Sequence, residues 1–548
     1  MIKNMDYIAL AELLFPNVNK TTEYYEDMYP ERVLPEGAKV TRFAPSPTGF
    51  VHFGGLFPVL VDVQLARQSG GVCYLRIEDT DSKREVKGAE LDIINAFKAF
   101  GISFDESIVK SGAYGPYRQS ERKEIYHTFA KKLVAEGKAY PCFCSQKEME
   151  DMRKLQKSQK ETTGYYGKYT KCRDLTLEQV KNKLDSGMSY VLRLKSFGNS
   201  NNKIKFTDLI KGTIEITEND IDHILLKSDG MPDYHLAHAV DDHLMRTTHV
   251  VRGEEWLPSL PYHIQLFAAF GFKLPKYMHI AQLMRLDGTS KKKLSKRDKG
   301  AGLTSYISDG YAPKAVIEYV LTLLNSNFED WRRANPDADV REFPFSIKKM
   351  SASGALFDLI KLNDVSKNVL SRMTTEQIYD RLTEWAKVYD KKFYGVLTRQ
   401  PDFTLAILSI GRGGPKARKD FGRWDEVKPF IGFFFKEYFK VTDQPEGDFK
   451  KDDIKNAITE YLSIYNPEDD KETWFEKIKV VAEKTGFCPS TKDYKQNPEG
   501  WKGHVGDTSM FIRLAITGRL NSPDLFTVMQ ILGGDECKKR LKNYLKNI

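Results

Sequence analysis

The segment KVTRFAPSPTGFVHFGG, residues 39–55, decides how the chain is read. Its opening residues, KVTRF, suit a short strand, and the run then breaks at Pro45, Pro47 and Gly49, residue types that interrupt regular structure. From Gly54 to Gln68 apolar residues recur at helical spacing (Leu56, Leu60, Val63, Ala66). VCYLRIED (72–79) is a second strand, and the stretch from Lys83 to Phe100 is a second helix. Strand–loop–helix–strand–helix predicts an α/β fold built on a doubly wound parallel sheet. His52 stands where the loop enters the first helix, followed at once by Gly54 and Gly55. Glycine lets backbone approach a ligand, a helix N-terminus offers unpaired N–H groups to an anion, and an imidazole there can donate to a phosphoryl oxygen. Taken alone, His-x-Gly-Gly is as readily an ordinary helix start.

A second segment changes its weight. KKKLSKRDKGAGL (291–303) places Lys293, Ser295, Lys296 and Arg297 in a loop between the strand-like YMHIAQLM (277–284) and the next helix. A lysine loop can fold over a triphosphate and neutralise departing pyrophosphate, although a solvated basic loop reads the same way in isolation. Together, in this order on this pattern, the two segments resemble the paired signature motifs of class I aminoacyl-tRNA synthetases, whose catalytic domain is Rossmann-like. Phe53 and Leu294 depart from the commonest residues at their positions; Phe53 is expected to pack inward, altering core volume rather than chemistry.

RFAPSPTG (42–49) and LRIEDTD (75–81) resemble the glutamyl enzymes rather than the glutaminyl ones. The resemblance implies that Arg42 pairs with the γ-carboxylate of a bound glutamate, where a guanidinium fork matches a planar anion. It implies that Glu78 holds the α-ammonium group, that Ala44 and Ser46 shape the pocket, and that Tyr234 and Arg252, in YHLAHAVDDHLMRTTHVVRGEEW (234–256), also contact the substrate. For ATP it implies His52, Gly54, Gly55, Glu255, Trp256, the backbone of Leu283 and Met284, and Lys293, Ser295, Lys296 and Arg297, with His52 and Lys296 as the catalytic pair. The histidines and aspartates at 235, 238, 241, 242 and 243 could be read as a metal cluster, but the substrate reading explains more of their surroundings.

Outward from this core, residues 1–37 form an extension expected to hold a short helix and a polar connector. Catalytic sequence is expected at 38–115 and 216–345, with parallel strands resuming at HILLKSDG (223–230), THVVRGEEW (248–256) and YMHIAQLM. The insertion 116–215 occupies the place of the acceptor-end-binding domain, and its Lys154, Lys157, Lys160, Lys168 and Lys171 suit stem phosphates. Cys142, Cys144 and Cys172 lie in it with a tyrosine cluster; by resemblance these thiols with Tyr169 could bind zinc. After about residue 350 amphipathic helices replace strands. They suggest a helical stem-contact domain (346–410) and, beyond a hinge at GRGGPKARKD (411–420), a helical anticodon-binding domain (411–548) with Arg513 and Arg519 as candidate readers. This tail resembles the bacterial-type glutamyl enzymes, and the resemblance covers residues 38–548.

The composition fits. Of 548 residues, 41% are hydrophobic and 29% charged, and the formal charge of +9 suits docking on phosphates without implying a packaging protein. No apolar run nears the roughly 20 residues of a membrane span. Six scattered cysteines point to a reducing compartment, hence the cytoplasm, and a monomer is expected. The resemblance implies ATP and L-glutamate as substrates, magnesium as the ion that accompanies ATP, and tRNA(Glu) as partner. Charging of tRNA(Gln) as well, or a non-catalytic RNA-binding paralogue, are the alternative readings; the second is disfavoured because His52, Lys296, Arg42 and Glu78 are all present.

Overall fold

The computed structural model describes residues 6–49, 51–81, 86–287, 289–293, 302–414 and 417–548. The chain divides into two compact units, Met1–Thr304 with Val320–Asp358, and Ser305–Tyr319 with Leu359–Ile548.

In the first unit the parallel strands Val40–Phe43 and Val72–Leu75 pair in register from Val40↔Val72 to Phe43↔Leu75. The helix that joins them, Leu56–Gln68, is buried along most of its length because it lies between the sheet and the rest of the unit. A second parallel pair, His249–Gly253 with Lys276–Ile280, is joined by the helix Leu260–Phe270. The N–H of Thr248 donates to the carbonyl of Val40, so the two pairs meet edge to edge. The two crossover connections expected from the alternation are therefore present, with a parallel arrangement on each side.

The pairing continues past the strand ends. Arg76 N–H donates to the Phe43 carbonyl and Glu78 N–H to that of Pro45, which brings Glu78 beside the proline-broken loop after Arg42. Pro45 and Pro47 supply only carbonyls here, and Gly49 takes a φ of +132°, open to glycine and strained for other residues. The second helix starts later than its apolar pattern suggests, at Ala89, because Gly88 adopts φ +86° immediately before it. Lys83 lies outside the described residues.

The insertion contains an antiparallel sheet of Ala139–Cys142, Val191–Leu194 and Ile224–Leu226. The third strand corrects an expectation: HILLKSDG does not resume the parallel sheet but closes this one, its Leu226 opposite the fully buried Leu192. A hairpin, Lys203–Asp208 with Gly212–Thr217, follows the second strand.

Residues 6–37 hold two helices rather than one, Tyr7–Leu14 and Thr22–Met28, the second capped by the Thr21 hydroxyl. Leu10, Ala11 and Leu14 join the same core as the insertion helix Lys123–Ala135. Arg32 forks onto Glu106 (2.7 and 2.9 Å), lies over the Tyr114 ring and donates to the Met245 carbonyl, while Arg246 and His243 both reach Glu26. The segment thus straps together residues far apart in sequence.

The second unit is helical: no strand occurs among its described residues. Thr374 and Gln377 form a capping box on Thr375–Tyr389, and buried Arg540 lies over the Phe439 ring while donating to the Ile516 carbonyl. At the expected hinge, Gly411 and Gly413 have positive φ, and Arg412 donates to the Leu370 carbonyl. Arg513 is turned to Ser522 and Pro523, and Arg519 lies 3.8 Å from Asp443.

Candidate amino-acid and nucleotide site

The loop 44–49, the turn after Val72–Leu75 and the helix Tyr234–Leu244 bring the expected pocket residues together. Arg42, 3% exposed, donates through Nε to both oxygens of Asp242 (3.2 and 3.0 Å) and through Nη1 to the Val251 carbonyl. Its Nη2 makes no hydrogen bond to a described residue, so the guanidinium is held by protein through Nε and Nη1. Glu78 accepts from Arg76 Nη2 at 3.0 Å. Burial raises the Glu78 carboxyl above its ordinary value, and Arg76 and Arg42 pull the other way. Tyr234 marks the point of convergence: burial raises its phenol, Glu78 adds to this, and Arg252 and Arg42 oppose it. Its ring lies 4.4 Å from that of Trp256. Ala44 is half-buried and Ser46 exposed.

Beneath these residues lies a charge network that sequence reasoning did not assemble, Arg76 and Arg122 above all. Arg76 Nη1 donates to Asp242 (2.7 Å), and Arg122 Nε donates to Asp241 (2.7 Å). Arg42, Arg76 and Arg122 face Glu78, Asp241 and Asp242, so three guanidinium charges stand against three carboxylates, with Arg76, Arg122, Asp241 and Asp242 fully buried and Glu78 partly so. Burial alone would raise the Asp242 carboxyl, but Arg42 and Arg76 hold it well below the ordinary range. Asp62 is also buried, with both carboxylate oxygens unpartnered, and burial drives it well up, toward the neutral acid. The available signal was the placement of Arg76 and of Asp241-Asp242 within otherwise apolar strand and helix segments.

Arg252 governs a second buried array. Its Nε donates to His279 Nε2 (2.9 Å) and its Nη1 reaches His263 Nδ1 (3.0 Å), while its buried Nη2 finds no partner among the described residues. An arginine only donates, so both contacted ring nitrogens must be acceptors. His279 then carries its proton on Nδ1, toward Asp208 (2.7 Å), and His263 carries its own on Nε2, toward His235 Nδ1 (2.7 Å). His238 accepts or donates at Tyr277 Oη (2.9 Å) and lies 2.8 Å from Asp242 without hydrogen-bond alignment. These histidines are packed polar groups; among the described residues the only cluster with metal-ligand spacing is Cys142, Cys144 and Cys172.

On the nucleotide side, His52 caps the turn Phe53–Gly55, its Nδ1 accepting from Gly54 N–H at 3.0 Å, which leaves the proton of a neutral ring on Nε2. A Cβ at Gly54 would sit 3.0 Å from that same Nδ1, so a side chain there would crowd the cap. Phe53 packs inward as expected, fully buried and edge-on to Phe357. Leu283 makes no backbone hydrogen bond to a described residue. Met284 differs from expectation: its N–H donates to Ala355 and its carbonyl accepts from Phe357, so only the carbonyl's second lone pair is left to offer. An unforeseen hairpin, Met284–Asp287 with Ser290–Lys293, precedes the lysine loop. Ser295, Lys296 and Arg297, and the side chain of Lys293, lie outside the described residues. Glu255 curls over Gly253, where a Cβ would lie 2.1 Å from its Oε2.

In the insertion the sulfur atoms of Cys142, Cys144 and Cys172 lie within 4.8 Å of one another. Tyr165, not Tyr169, touches them: its hydroxyl is 3.4 Å from Cys144 Sγ and accepts from Cys172 N–H. The Tyr169 hydroxyl is committed to Gln159 and Glu161. Hydrogen bonds from the Cys144 and Cys172 thiols, with Arg193 nearby, push Cys142 down toward the thiolate.

Residues 39–363 match the family model described as tRNA synthetases class I (E and Q), catalytic domain, and residues 498–545 match an anticodon binding domain. The chain is 50% identical over 546 residues to a glutamate--tRNA ligase of Acetivibrio thermocellus, covering 99% of this chain and 100% of that one. It is 49% identical over 546 residues to one from Clostridium perfringens, covering 98% and 100%. A solved structure, a glutamate tRNA ligase from Elizabethkingia meningosepticum in complex with its amino acid, superposes with a TM-score of 0.74 at 28% identity, covering 93% of this chain and 99% of that chain. The chain therefore belongs to the class I tRNA synthetases. Within that class it is a member of the glutamate--tRNA ligase family. At 99% of the chain, the match must take in most of residues 1–37 as well, which corrects the expectation that the resemblance begins at 38.

The buried histidines make stability depend on pH. Burial lowers His223, His235, His238 and His249 to about 4, and His263 well below its ordinary 6.5. Between pH 6.5 and 4 the unfolded chain takes up protons that the native chain refuses, so stability falls as pH falls through that window. Calorimetry should show the melting temperature of the full chain dropping from pH 6.5 to 4.5; a flat profile would contradict the neutral, buried assignment.

Proposed function

We propose that the chain activates L-glutamate with ATP and transfers it to the 3′ end of tRNA(Glu), releasing AMP and diphosphate. The observation that carries this is the buried Arg42, held on one side by Asp242 and making no hydrogen bond through Nη2 to a described residue, with Tyr234 within electrostatic reach of it, of Glu78 and of Arg252. A cation and an anion at the two ends of one small pocket suit an amino acid with an acidic side chain. Arg42 takes the γ-carboxylate, Glu78 the ammonium, and Tyr234 and Arg252 complete the contacts; Ala44 and Ser46 line the entrance.

Glutamate's α-carboxylate attacks the α-phosphorus, and His52 Nε2–H and Lys296 stabilise the charge that develops as pyrophosphate leaves. Gly54 and Gly55 allow the phosphates close approach, the Leu283 backbone faces the adenine beside Glu255 and Trp256, and Lys293, Ser295 and Arg297 join Lys296 in the loop. Magnesium, when bound, neutralises triphosphate charge. The ribose hydroxyl of the tRNA then attacks the mixed anhydride. No side chain acts as a nucleophile; positioning and electrostatics supply the rate.

The layout proposed keeps an extension to 37, a first catalytic half 38–115, a stem-contact region 346–410 and an anticodon-binding region from 411; the acceptor-binding insertion, expected at 116–215, runs on to Leu226 because Ile224–Leu226 closes its sheet, and the second catalytic half, expected at 216–345, begins after that strand. Work on tRNA as a cytoplasmic monomer suits a chain in which no described helix is long and apolar enough to cross a membrane. The three cysteines fit zinc, with the Tyr165 hydroxyl as the fourth donor in place of Tyr169, and the ion would brace the insertion. Metal analysis of purified protein should find one zinc per chain, lost in Cys172→Ser; a metal-free protein with three titratable thiols would remove this reading.

Charging of purified tRNA(Glu) and tRNA(Gln) with radiolabelled glutamate tests the function. Glutamyl-tRNA(Glu) is expected, product on tRNA(Gln) would mark a non-discriminating enzyme, and tRNA binding without product on either would indicate a non-catalytic paralogue. Lys296→Ala should abolish glutamate- and tRNA-dependent pyrophosphate exchange while tRNA binding persists.

A further inference from the structure

Asp241 is completely buried, and none of its contacts is to an expected substrate-binding residue. Its Oδ1 accepts from Arg122 Nε (2.7 Å) and its Oδ2 from Gln119 Nε2 (2.9 Å) and Tyr126 Oη (2.8 Å). All three donors come from the turn and helix that open the insertion. On its other side Arg76 Nε faces Oδ2 at 3.7 Å, a coulombic pairing beyond hydrogen-bond reach. Arg76 in turn holds Glu78 Oε1 (3.0 Å) and Asp242 Oδ1 (2.7 Å). Arg122 is steadied from the far side: it donates to the carbonyls of Tyr114 and Pro116, reaches Tyr29 Oη at 3.5 Å and lies over the Tyr29 ring at 5.3 Å. Tyr29 itself donates to the Gly115 carbonyl at 2.8 Å. A continuous line of buried contacts therefore runs from the N-terminal strap through Arg122, Asp241 and Arg76 to Glu78.

We propose that Asp241 and Arg122 are positioning residues for the ammonium end of the glutamate site, with Tyr29 of the N-terminal segment holding Arg122 in place. The physical reason is charge balance. Arg76 is shared among three carboxylates, and its position, hence that of the Glu78 oxygen it carries, is set by the pull of all three. Removing the Asp241 charge leaves Arg122 uncompensated beside Arg76, and two buried cations then compete for Glu78 and Asp242. Replacing Arg122 by lysine keeps the charge but cannot serve Asp241 and the two carbonyls together, because a point ammonium lacks the planar fork. Two elements that touch no substrate, the strap and the start of the insertion, thereby fix the geometry of one that does.

This inference rests on the reading of Glu78 as the ammonium ligand, and the test separates the two. Steady-state charging kinetics of the full chain are compared for Glu78→Gln, Asp241→Asn, Arg122→Lys, Tyr29→Phe and the double variant Arg122→Lys/Glu78→Gln. Asp241→Asn and Arg122→Lys should raise KM for glutamate about tenfold or more, as supporting residues behind a ligand typically do, with KM for ATP and tRNA held within about twofold. Tyr29→Phe, which loses only a hydroxyl, should shift glutamate KM in the same direction by about threefold. The double variant should add little to Glu78→Gln alone, because Arg122 acts through Glu78. Should Asp241→Asn fail to fold, Arg122→Lys and Tyr29→Phe decide. Unchanged glutamate KM in those two, a parallel rise for all three substrates, or additivity in the double variant overturns the positioning role. Unchanged glutamate KM in Glu78→Gln removes the reading of Glu78, and the inference with it.

Discussion

The neutral cluster of Arg42, Arg76 and Arg122 with Glu78, Asp241 and Asp242 is the constraint to which the first unit is built. Burying ions costs several kcal/mol each unless each finds its counter-charge in good geometry, and here four of the six side chains are fully buried and the other two nearly so. The partners come from a first strand, from the residues just past a second, from the segment opening the insertion and from the helix Tyr234–Leu244. They meet only if the parallel pairs, the insertion and the strap are all in place. Such a cluster favours one arrangement of these segments over others of similar hydrophobic burial. It also leaves Arg42 and Glu78 fixed by their protein contacts before any ligand arrives.

That preorganisation is what the chemistry requires. Activation of a carboxylate and its transfer to a hydroxyl need reactants aligned and charge stabilised, not a covalent intermediate on the enzyme. The histidines around Arg252 serve the same end by a different means. Because the guanidinium can only donate, it dictates the tautomers of His263 and His279, and His235 and Asp208 receive the protons that result. Arg252 is thereby immobilised, with Nη2 unpartnered among the described residues.

Much of this was legible in the sequence. Proline and glycine breaks after KVTRF and helical spacing from Gly54 gave the first crossover, and the motif residues Arg42, Glu78, Tyr234 and Arg252 do converge. What escaped detection depended on pairing across long separations. Ile224–Leu226 has the same local pattern as a parallel core strand, and only its partner Val191–Leu194 makes it antiparallel. Tyr165 and Tyr169 are equivalent as letters, and the turn Gly167–Tyr169 decides which reaches the thiols. Asp241 and Arg122 are more than a hundred residues apart, so neither announces the other. The second helix of the strap was read as connector because its Tyr- and Glu-rich run carries little apolar periodicity; tertiary contacts to Arg246 and His243 hold it.

The central claim is that the cluster presents Arg42 and Glu78 as opposite ends of a glutamate site. A crystal structure of the chain with L-glutamate tests it most directly. The account predicts the γ-carboxylate within about 3 Å of Arg42 Nη2 and the ammonium within about 3 Å of Glu78, hydrogen-bond distances for charged groups, with the Arg76–Asp242 pair unmoved. A glutamate bound in the reverse sense, or an Arg42 that must leave Asp242 to reach its ligand, would contradict it.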